Sequence, residues 1–410
     1  MTAGLPEPAD FARPPTAADL ARWAEADRTA RPARLARLRA RFAQAGVDAY
    51  LGLKPEHARY LTGLALGNGE EKVAGNSGRF LVAGEEVFLL ADSRYTIQAR
   101  REAPETRHVE ADNDLPDRWP ALLGTAGARR VAVEAGAITH ALWTRLAAAA
   151  PAVELVPVEG WLEADRATKE PAEMERIEAA CAVADRALAG LLDEIRPGVT
   201  ERQLALSLEW RMRTGGAEAL AFDVACLAGP EAALPHGSPG DRPVLAGAVL
   251  LFDFGAQVAG YRSDMTRTLF VGEPGARDLA VYELVSSAQG AAMAALEAAA
   301  LAAAREGTPL PTGRAIDAVA RGVIEAAGHG EHYGHGLGHG IGLATHELPS
   351  LGKRAAETPL PSPTVFSVEP GVYLPGATGV RIEDLVALDG RAGTLRRLTQ
   401  FPREVIVIGH

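Results

Sequence analysis

Cysteine is scarce in this sequence, with only Cys181 and Cys226 among 410 residues. Two cysteines cannot build the disulfide framework of a small secreted domain, which predicts a protein of the reducing cytoplasm. A continuous apolar run of 18 residues is also lacking, and the first 30 residues contain no apolar segment typical of a signal peptide. The sequence therefore predicts a cytoplasmic protein that does not enter the membrane.

Basic residues are outnumbered, with 42 Lys and Arg against 53 Asp and Glu and a net charge of −11. Nucleic-acid binding depends on clustered Lys and Arg that contact phosphates, so this balance excludes a nucleic-acid partner. In the Arg-rich segment that follows Arg28, Leu35, Leu38 and Phe42 recur at helical spacing, which predicts an ordinary amphipathic helix. The expected ligands are small molecules or peptides.

The length of 410 residues and a hydrophobic fraction of 47% predict two domains. Residues 1–28 are rich in proline and charge and are predicted to be a polar N-terminal extension. Residues 29–162 alternate strand-like and helix-like runs, which predicts an α/β domain, and residues 163–410 form the second domain. A long polar loop from Gly67 to Gly78 is a candidate contact for binding or assembly.

Acidic residues interrupt apolar, strand-like runs in the second domain. Asp253 lies in one such run, and a hairpin centred between Val258 and Ala259 would place it opposite Asp264. Like charges opposite each other destabilise a sheet, and a buried acid is costly unless it is paired. A cation between the two acids would resolve the conflict, although a surface salt bridge to an adjacent arginine explains this segment alone equally well.

A second pair of acids, Glu369 and Glu383, interrupts two later strand-like runs in the same way. Acids are almost never fully buried unless they are paired or bind a metal. Two divalent cations would cancel the charge of four carboxylates, and one would not. The sequence therefore predicts two metal ions, an arrangement that activates a bridging water.

Histidine and glycine are concentrated in HYGHGLGHGIGLATHE, residues 332–347, where glycine takes every even position from Gly334 to Gly342. Such a run does not favour helix. In an extended chain His335 and His339 lie roughly 13 Å apart, so one metal centre cannot bind both. One histidine is expected to be a ligand and the others to support ligands or contact substrate. A phosphate-binding loop is the competing interpretation, but its Lys-Ser/Thr ending is missing.

Together these segments resemble the pita-bread metallopeptidases, the family of aminopeptidase P, prolidase and methionine aminopeptidase. The matching segments are DFGAQVAGYRSDMTRT (253–268), GHGLGHGIGLATHELP (334–349), VEPGVY (368–373) and GVRIED (379–384). Residues from about 34 to 160 resemble the creatinase-type N-terminal domain of the Xaa-Pro branch, which methionine aminopeptidases generally lack. The resemblance implies an α+β protein in which a creatinase-type α/β domain precedes a pita-bread catalytic domain.

The same resemblance implies a role for each matching residue. The implied metal ligands are Asp253, Asp264, His339, Glu369 and Glu383, with Asp264 and Glu383 bridging the two ions. Glu369 would also be the general base, His346 would stabilise the oxyanion, and His236 would bind substrate. His335 and Arg381 would support the ligands. This oxygen-rich ligand set suits Mn²⁺, with Co²⁺ or Zn²⁺ as alternatives.

The implied activity is cleavage of the peptide bond that precedes proline, in dipeptides or short peptides. A dipeptidase, prolidase, is preferred over aminopeptidase P, because the chain has the size of bacterial prolidases and Arg59, Arg79 and Arg94 could bind a dipeptide's carboxylate. A non-catalytic binding protein and a metal-free, creatinase-like enzyme are alternatives, and the five intact ligand positions argue against both. The resemblance also implies a homodimer.

Overall fold

The computed structural model describes residues 5–67, 75–110 and 114–409. Their contacts divide the chain into two compact units. The N-terminal unit is Ala21–Asp165, and the catalytic unit combines Arg166–His410 with Met1–Leu20. Most of the loop 67–78, predicted to make a contact, lies outside the described residues.

The predicted polar extension over residues 1–28 is wrong in its second half, because a helix begins at Ala17 and continues to Ala45. Thr16 and Asp19 cap this helix reciprocally: the Asp19 carboxylate accepts the Thr16 N–H at 2.9 Å, and the Thr16 Oγ1 accepts the Asp19 N–H at 3.3 Å. The residues that follow the cap are mostly good helix formers, which extend the helix well before Thr29.

The N-terminal unit is an α/β layer structure built on one mixed sheet. In spatial order its strands are Arg107–Glu110, Glu86–Ala91, Phe80–Ala83, Ala49–Gly52, Arg130–Glu134 and Glu154–Val158. The helices after the first are Pro55–Thr62, Thr96–Glu102, Leu115–Ala126, His140–Ala149 and Trp161–Ala167. Apolar residues of the central strands pack against Trp119 and Leu146, both fully buried.

The catalytic unit contains the long helices Pro171–Leu191, Glu201–Thr214, Ala276–Glu306 and Gly313–Ala326. Short 3₁₀ turns occupy Pro8–Asp10, Leu192–Glu194, Gly229–Ala233 and Gly330–His332. Thr200 and Gln203 form a capping box at the start of the second of these helices. The helix Ala276–Glu306 has the length and mean hydropathy, 1.3, to cross a membrane. Because Val285, Ala288 and Ala292 of this helix are completely buried in the catalytic core, we interpret it as a core helix.

The sheets of the catalytic unit are antiparallel, except that Val407–Ile408 pairs with Met265–Val271 in parallel. One sheet has the order Val407–Ile408, Met265–Val271, Val249–Phe254 and Ala225–Ala228, and a second has Glu347–Leu351, Gly338–Gly340, Thr364–Val368, Asp384–Asp389 and Thr394–Arg397. Smaller sheets pair Tyr261–Arg262, Ala256–Val258 and Ala219–Leu220, and Gly371–Leu374 with Thr378–Arg381. The two helices Ala276–Glu306 and Gly313–Ala326 pack on these sheets through one continuous apolar core.

The register of the first acidic hairpin differs from the prediction. Asp253 pairs with Thr266, and Val258 pairs with Tyr261, so the turn is centred between Ala259 and Gly260. Ala259 and Gly260 both adopt positive φ, which accounts for the turn's position. Asp264 therefore does not lie directly opposite Asp253 on the sheet.

Three of the four acids also lie outside the strands to which the sequence assigned them. Asp253 is inside Val249–Phe254, whereas Asp264, Glu369 and Glu383 occupy the short breaks that precede or follow strands. A break releases the backbone from the ladder, so an acid there is free to turn towards a common centre. The four carboxylates are consequently brought together by strand ends.

Candidate active site

Five side chains predicted to bind metal converge at the centre of the catalytic unit. Ligand atoms of Asp264, His339 and Glu383 lie within 4.8 Å of one another. The His339 Nε2 is also 3.4 Å from the Glu369 Oε1 and 3.7 Å from the Asp264 Oδ2. Asp253 lies beside them in the strand Val249–Phe254, where it pairs with Thr266 of the neighbouring strand. Residues distant in sequence thus form one carboxylate–histidine cluster.

The electrostatics of this cluster fit bound cations. Burial, reinforced by the neighbouring carboxylates, raises the pKa of Asp264 and of Glu383 well above the usual range, and burial also raises the pKa of Glu369. The Oδ1 of Asp253 is buried and accepts no hydrogen bond within the described part of the chain. Buried carboxylates without donors are unstable unless a cation neutralises them. The residues present therefore fit divalent metal ions.

His339 is oriented as a ligand rather than as a cation. Burial lowers the pKa of this imidazole, so its neutral form is favoured. Its Nδ1 lies 3.1 Å from the Gly340 carbonyl oxygen, which can only accept a hydrogen bond, so the proton belongs on Nδ1. The lone pair of Nε2 then faces the carboxylates, as expected of a metal-binding histidine.

Arg381 is the cation that orders the carboxylates. Its Nη2 donates to the Asp253 Oδ2 at 2.5 Å, and its Nε donates to the Thr266 Oγ1 at 2.9 Å. Thr266 in turn donates to the Glu383 Oε2 at 2.7 Å. A single guanidinium thus holds one carboxylate directly and a second through a hydroxyl, the supporting position predicted for it.

His335 joins this network through Tyr373. The His335 Nε2 is 2.9 Å from the Tyr373 hydroxyl. The oxygen of this hydroxyl accepts a hydrogen bond from the Arg381 Nη1 at 2.8 Å. The His335 Nδ1 faces the Gly336 carbonyl at 2.8 Å, so its Nε2 accepts the tyrosine proton. His335 therefore contacts Arg381 through Tyr373. Among the described residues, it is not one of the three side chains, Asp264, His339 and Glu383, whose ligand atoms cluster.

A cavity of about 1040 Å³ opens onto the cluster. His236, His346 and the acids Asp253, Asp264 and Glu369 line it. The rings of His346 and His339 lie 4.2 Å apart between centroids, so His346 is adjacent to the predicted ligand without being part of its carboxylate group. Burial, then the neighbouring His339 and His236, lowers the pKa of His346. The predicted catalytic and metal-binding residues thus surround one accessible space.

Several residues of this site were not assigned a role from the sequence. Tyr373 and Thr266 connect Arg381 to its neighbours, and Ser367 donates to the Glu369 Oε1 at 2.9 Å. Both Tyr373 and Thr266 lie inside the matching segments, so their position was a usable signal. A hydroxyl in a strand has many uses, however, and only the packing of strands reveals its partner.

Comparison with known proteins bears on the family. Residues 175–389, over half of the chain, match the metallopeptidase family M24, and residues 34–168 match the creatinase/prolidase N-terminal domain. The chain belongs to metallopeptidase family M24. The predicted fold class, a creatinase-type domain followed by a pita-bread catalytic domain, is confirmed. Peptidases of this family depend on two metal ions, which agrees with the carboxylate–histidine cluster.

The M24 chain is similar over almost its whole length to proteins named as Xaa-Pro peptidases. A Xaa-Pro dipeptidase of Pyrococcus horikoshii is 32% identical, over 88% of this chain and 95% of the relative. The structure of a Xaa-Pro dipeptidase from Bacillus anthracis superposes with a TM-score of 0.80 at 33% identity, covering 92% of this chain and 99% of that one. An X-Pro aminopeptidase from Thermotoga maritima superposes with a TM-score of 0.74 at 34% identity, covering 88% and 98%.

Proposed function

We propose that this M24 peptidase is a dinuclear metal-dependent Xaa-Pro dipeptidase, which hydrolyses the peptide bond before proline. The observation that carries the proposal is the convergence of four carboxylates and His339 in a cavity of about 1040 Å³. Full-length similarity to dipeptidases from two organisms supports the substrate class. Hydrolysis of Ala-Pro by the purified protein, abolished by a chelator and restored by added metal, is the expected result.

The proposed metal ligands are Asp253, Asp264, His339, Glu369 and Glu383. Asp264 and Glu383 would be the bridging carboxylates, as the resemblance to the family implies, and both are almost completely buried. Two bound cations would neutralise the acids and supply Lewis-acid activation of water and of the scissile carbonyl. Mn²⁺ is the proposed metal, since oxygen ligands with one imidazole suit it.

Proton transfer is proposed to depend on Glu369. Its Oε1 accepts the Ser367 hydroxyl proton, and this hydrogen bond fixes the orientation of the carboxylate. Without bound cations, burial raises the pKa of the Glu369 carboxyl. The second carboxylate oxygen would remove a proton from the attacking water.

Two histidines on the cavity wall are proposed to contact the substrate. His346 would donate to the carbonyl oxygen as negative charge develops on it, an interaction often worth a few kcal/mol. The lowered pKa of His346 means that it donates as a neutral imidazole N–H. His236, exposed on the wall that includes Pro235 and Gly237, is proposed to bind the peptide.

The choice between dipeptidase and aminopeptidase P depends on recognition of the substrate carboxylate. Arg79 and Arg94 line a cavity of about 830 Å³ in the N-terminal unit, whereas Lys353 and Arg354 are exposed and line the catalytic cavity. We therefore propose that Lys353 and Arg354 attract a dipeptide's free carboxylate. Faster turnover of Ala-Pro than of Ala-Pro-Ala, with a higher KM for Ala-Pro in Arg354→Ala, would support the dipeptidase. The reverse preference would establish the aminopeptidase.

A homodimer and a cytoplasmic location complete the proposal. Both cysteines are free and fully or almost fully buried, with thiol pKa values raised by burial, as suits a reducing compartment. The N-terminal unit holds none of the proposed metal ligands, so a role in assembly and in limiting substrate length is the simplest account of it. Light scattering of the full-length protein tests the dimer, and a monomeric mass would contradict it.

A further inference from the structure

His346 lies in a turn formed by residues 342–347. Hydrogen bonds hold the part of this turn that precedes His346 against neighbouring segments. Thr345 is buried, and its Oγ1 accepts from the Arg262 Nη1 at 2.8 Å and donates to the Ala221 carbonyl at 3.2 Å. Arg262 also donates its backbone N–H to the Gly342 carbonyl at 3.0 Å. His346 itself is exposed to the cavity. Its position is therefore determined by its neighbours in the chain.

On the other side of His346 the attachment is a buried ionic cluster around Glu347. The Glu347 Oε1 accepts from the Lys169 Nζ at 2.7 Å, and Oε2 accepts from the Arg166 Nη2. The Glu347 side chain is 4% exposed, the Lys169 side chain 0% and the Arg166 side chain 2%. Oε2 also accepts the Ala344 backbone N–H at 3.3 Å, within the turn. The carboxylate thus ties the turn to the segment 166–169.

Close packing leaves the Glu347 carboxylate little freedom to move. A Cβ atom added at Gly342 would lie 2.5 Å from the Glu347 Oε1, so the carboxylate lies directly against the backbone of the turn. Lys169 is equally fixed: its backbone N–H donates to the Pro363 carbonyl at 2.9 Å, and its Nζ also donates to the Arg166 carbonyl. Lys169 is therefore a rigid anchor for Glu347.

Burial of the Lys169 ammonium carries a desolvation penalty, because the charge is removed from water. Hydrogen bonds from its Nζ to the Glu347 Oε1 and to the Arg166 carbonyl offset this penalty. Both hydrogen bonds restrict the geometry of the segment that Glu347 belongs to, and we attribute them to orientation of the turn.

We propose that Lys169 is a positioning residue for catalysis, which acts through Glu347 to hold His346 towards the scissile carbonyl. The inference rests on the proposed function of His346 in Xaa-Pro hydrolysis. Among the described residues, Lys169 is not one of those that line the substrate cavity or form the carboxylate–histidine cluster. Its effect is therefore expected on kcat, with substrate and metal binding preserved.

Lys169→Met is the test variant, because it leaves Arg166 and Glu347 as a neutral pair and keeps the side-chain length. We expect kcat for Ala-Pro to fall about 10-fold or more, KM to change less than about 3-fold, and metal content to stay at the wild-type value. Lys54→Met is the matched control, since the Lys54 Nζ pairs with Glu163 at 2.5 Å inside the N-terminal unit. The control is expected to keep the wild-type kcat.

A double-mutant cycle separates positioning from a purely structural role. If Lys169 acts through His346, then adding Lys169→Met to His346→Ala should reduce kcat no further. Independent, multiplicative losses, or an unchanged kcat in Lys169→Met, would overturn the inference while wild-type hydrolysis of Ala-Pro upholds the proposed function.

Hydrogen–deuterium exchange gives a readout that does not depend on turnover. The peptide containing residues 342–347 should exchange faster in Lys169→Met than in wild type, and Lys54→Met should leave it unchanged. Unaltered exchange in Lys169→Met would refute the anchoring role even if the protein hydrolysed a different substrate.

Discussion

Replacing Asp264 with asparagine should have opposite effects on the metal-free and the metal-loaded protein. Asp264 and Glu383 offer ligand atoms within 4.8 Å of each other. Two unit charges at that distance repel by about 3 kcal/mol at an effective dielectric constant near 20. Because burial and the neighbouring acids raise the pKa of both, proton uptake relieves part of this repulsion in the metal-free protein. We expect Asp264→Asn to stabilise the metal-free form by about 1–3 kcal/mol.

In the presence of metal, Asp264→Asn should have the opposite effect and make the folded protein less stable than wild type. An amide oxygen cannot bridge two cations as a carboxylate does, so bound metal should fall below two ions per chain and turnover of Ala-Pro should fall at least about 1000-fold. Stabilisation of the folded protein by bound metal should decrease by about 1.4 kcal/mol for each tenfold loss of metal affinity. Urea unfolding at pH 7 with chelator or with Mn²⁺, together with elemental analysis, measures these quantities.

Asp384→Asn is the control, because Asp384 follows Glu383 directly but is fully paired. Its carboxylate accepts from the Arg267 Nη2 at 2.7 Å, the Thr399 hydroxyl at 2.7 Å and the Gln289 side chain at 3.0 Å. Removing its charge leaves the buried Arg267 uncompensated, so both forms should lose roughly 3–5 kcal/mol. A metal-free Asp264→Asn protein that is also less stable than wild type would refute the argument from unpaired carboxylates, and retained turnover with two metals would refute the dinuclear assignment.

Three further outcomes are expected. His346→Ala should lower kcat by about two to three orders of magnitude with both metals retained, as measured by steady-state kinetics and elemental analysis; metal loss would make it a ligand instead. Tyr373→Phe should weaken metal affinity about 10–100-fold, because His335 and Arg381 both lose a buried partner, and a Mn²⁺ titration with unchanged affinity would contradict this. Burial raises the pKa of Asp185 to about 6, so the folded state binds this proton more tightly than the unfolded chain. The contribution of Asp185 to the unfolding free energy should be largest below about pH 4 and should decrease by roughly 3 kcal/mol as the pH rises through 6. Urea titrations at a series of pH values measure this decrease, which should be smaller in Asp185→Asn.

Much of the metal site could be predicted from residue type and spacing. Asp253 and Glu369 stand out because acids are rare in apolar runs, and the alternating glycines excluded a helix around His339. The breaks that hold Asp264 and Glu383 were less visible, since strand boundaries depend on partners that a local pattern does not show. The hairpin register was wrong for the same reason: positive φ at Ala259 moved the turn by one residue.

The start of the first helix shows the opposite error, in which a local signal was present and misjudged. The prolines before Thr16 suggested a polar N-terminal extension. The Thr16 and Asp19 side chains nevertheless form a helix cap, and their spacing in the sequence could have predicted it. The Arg candidates for substrate binding stay a prediction. Arg79 and Arg94 line a cavity of the N-terminal unit.

The sequence by itself determined the chemistry of this protein: four acids and a histidine in an apolar setting, whose charge requires divalent cations. Only the tertiary structure decided which distant side chain each supporting group contacts. Arg381 reaches Asp253 across 128 positions of the chain, and Lys169 reaches Glu347 across 178. Such contacts depend on how sheets and helix ends pack, and the composition of neither segment specifies its distant partner. Residue type establishes what a site can bind, whereas packing establishes which side chains hold it in position.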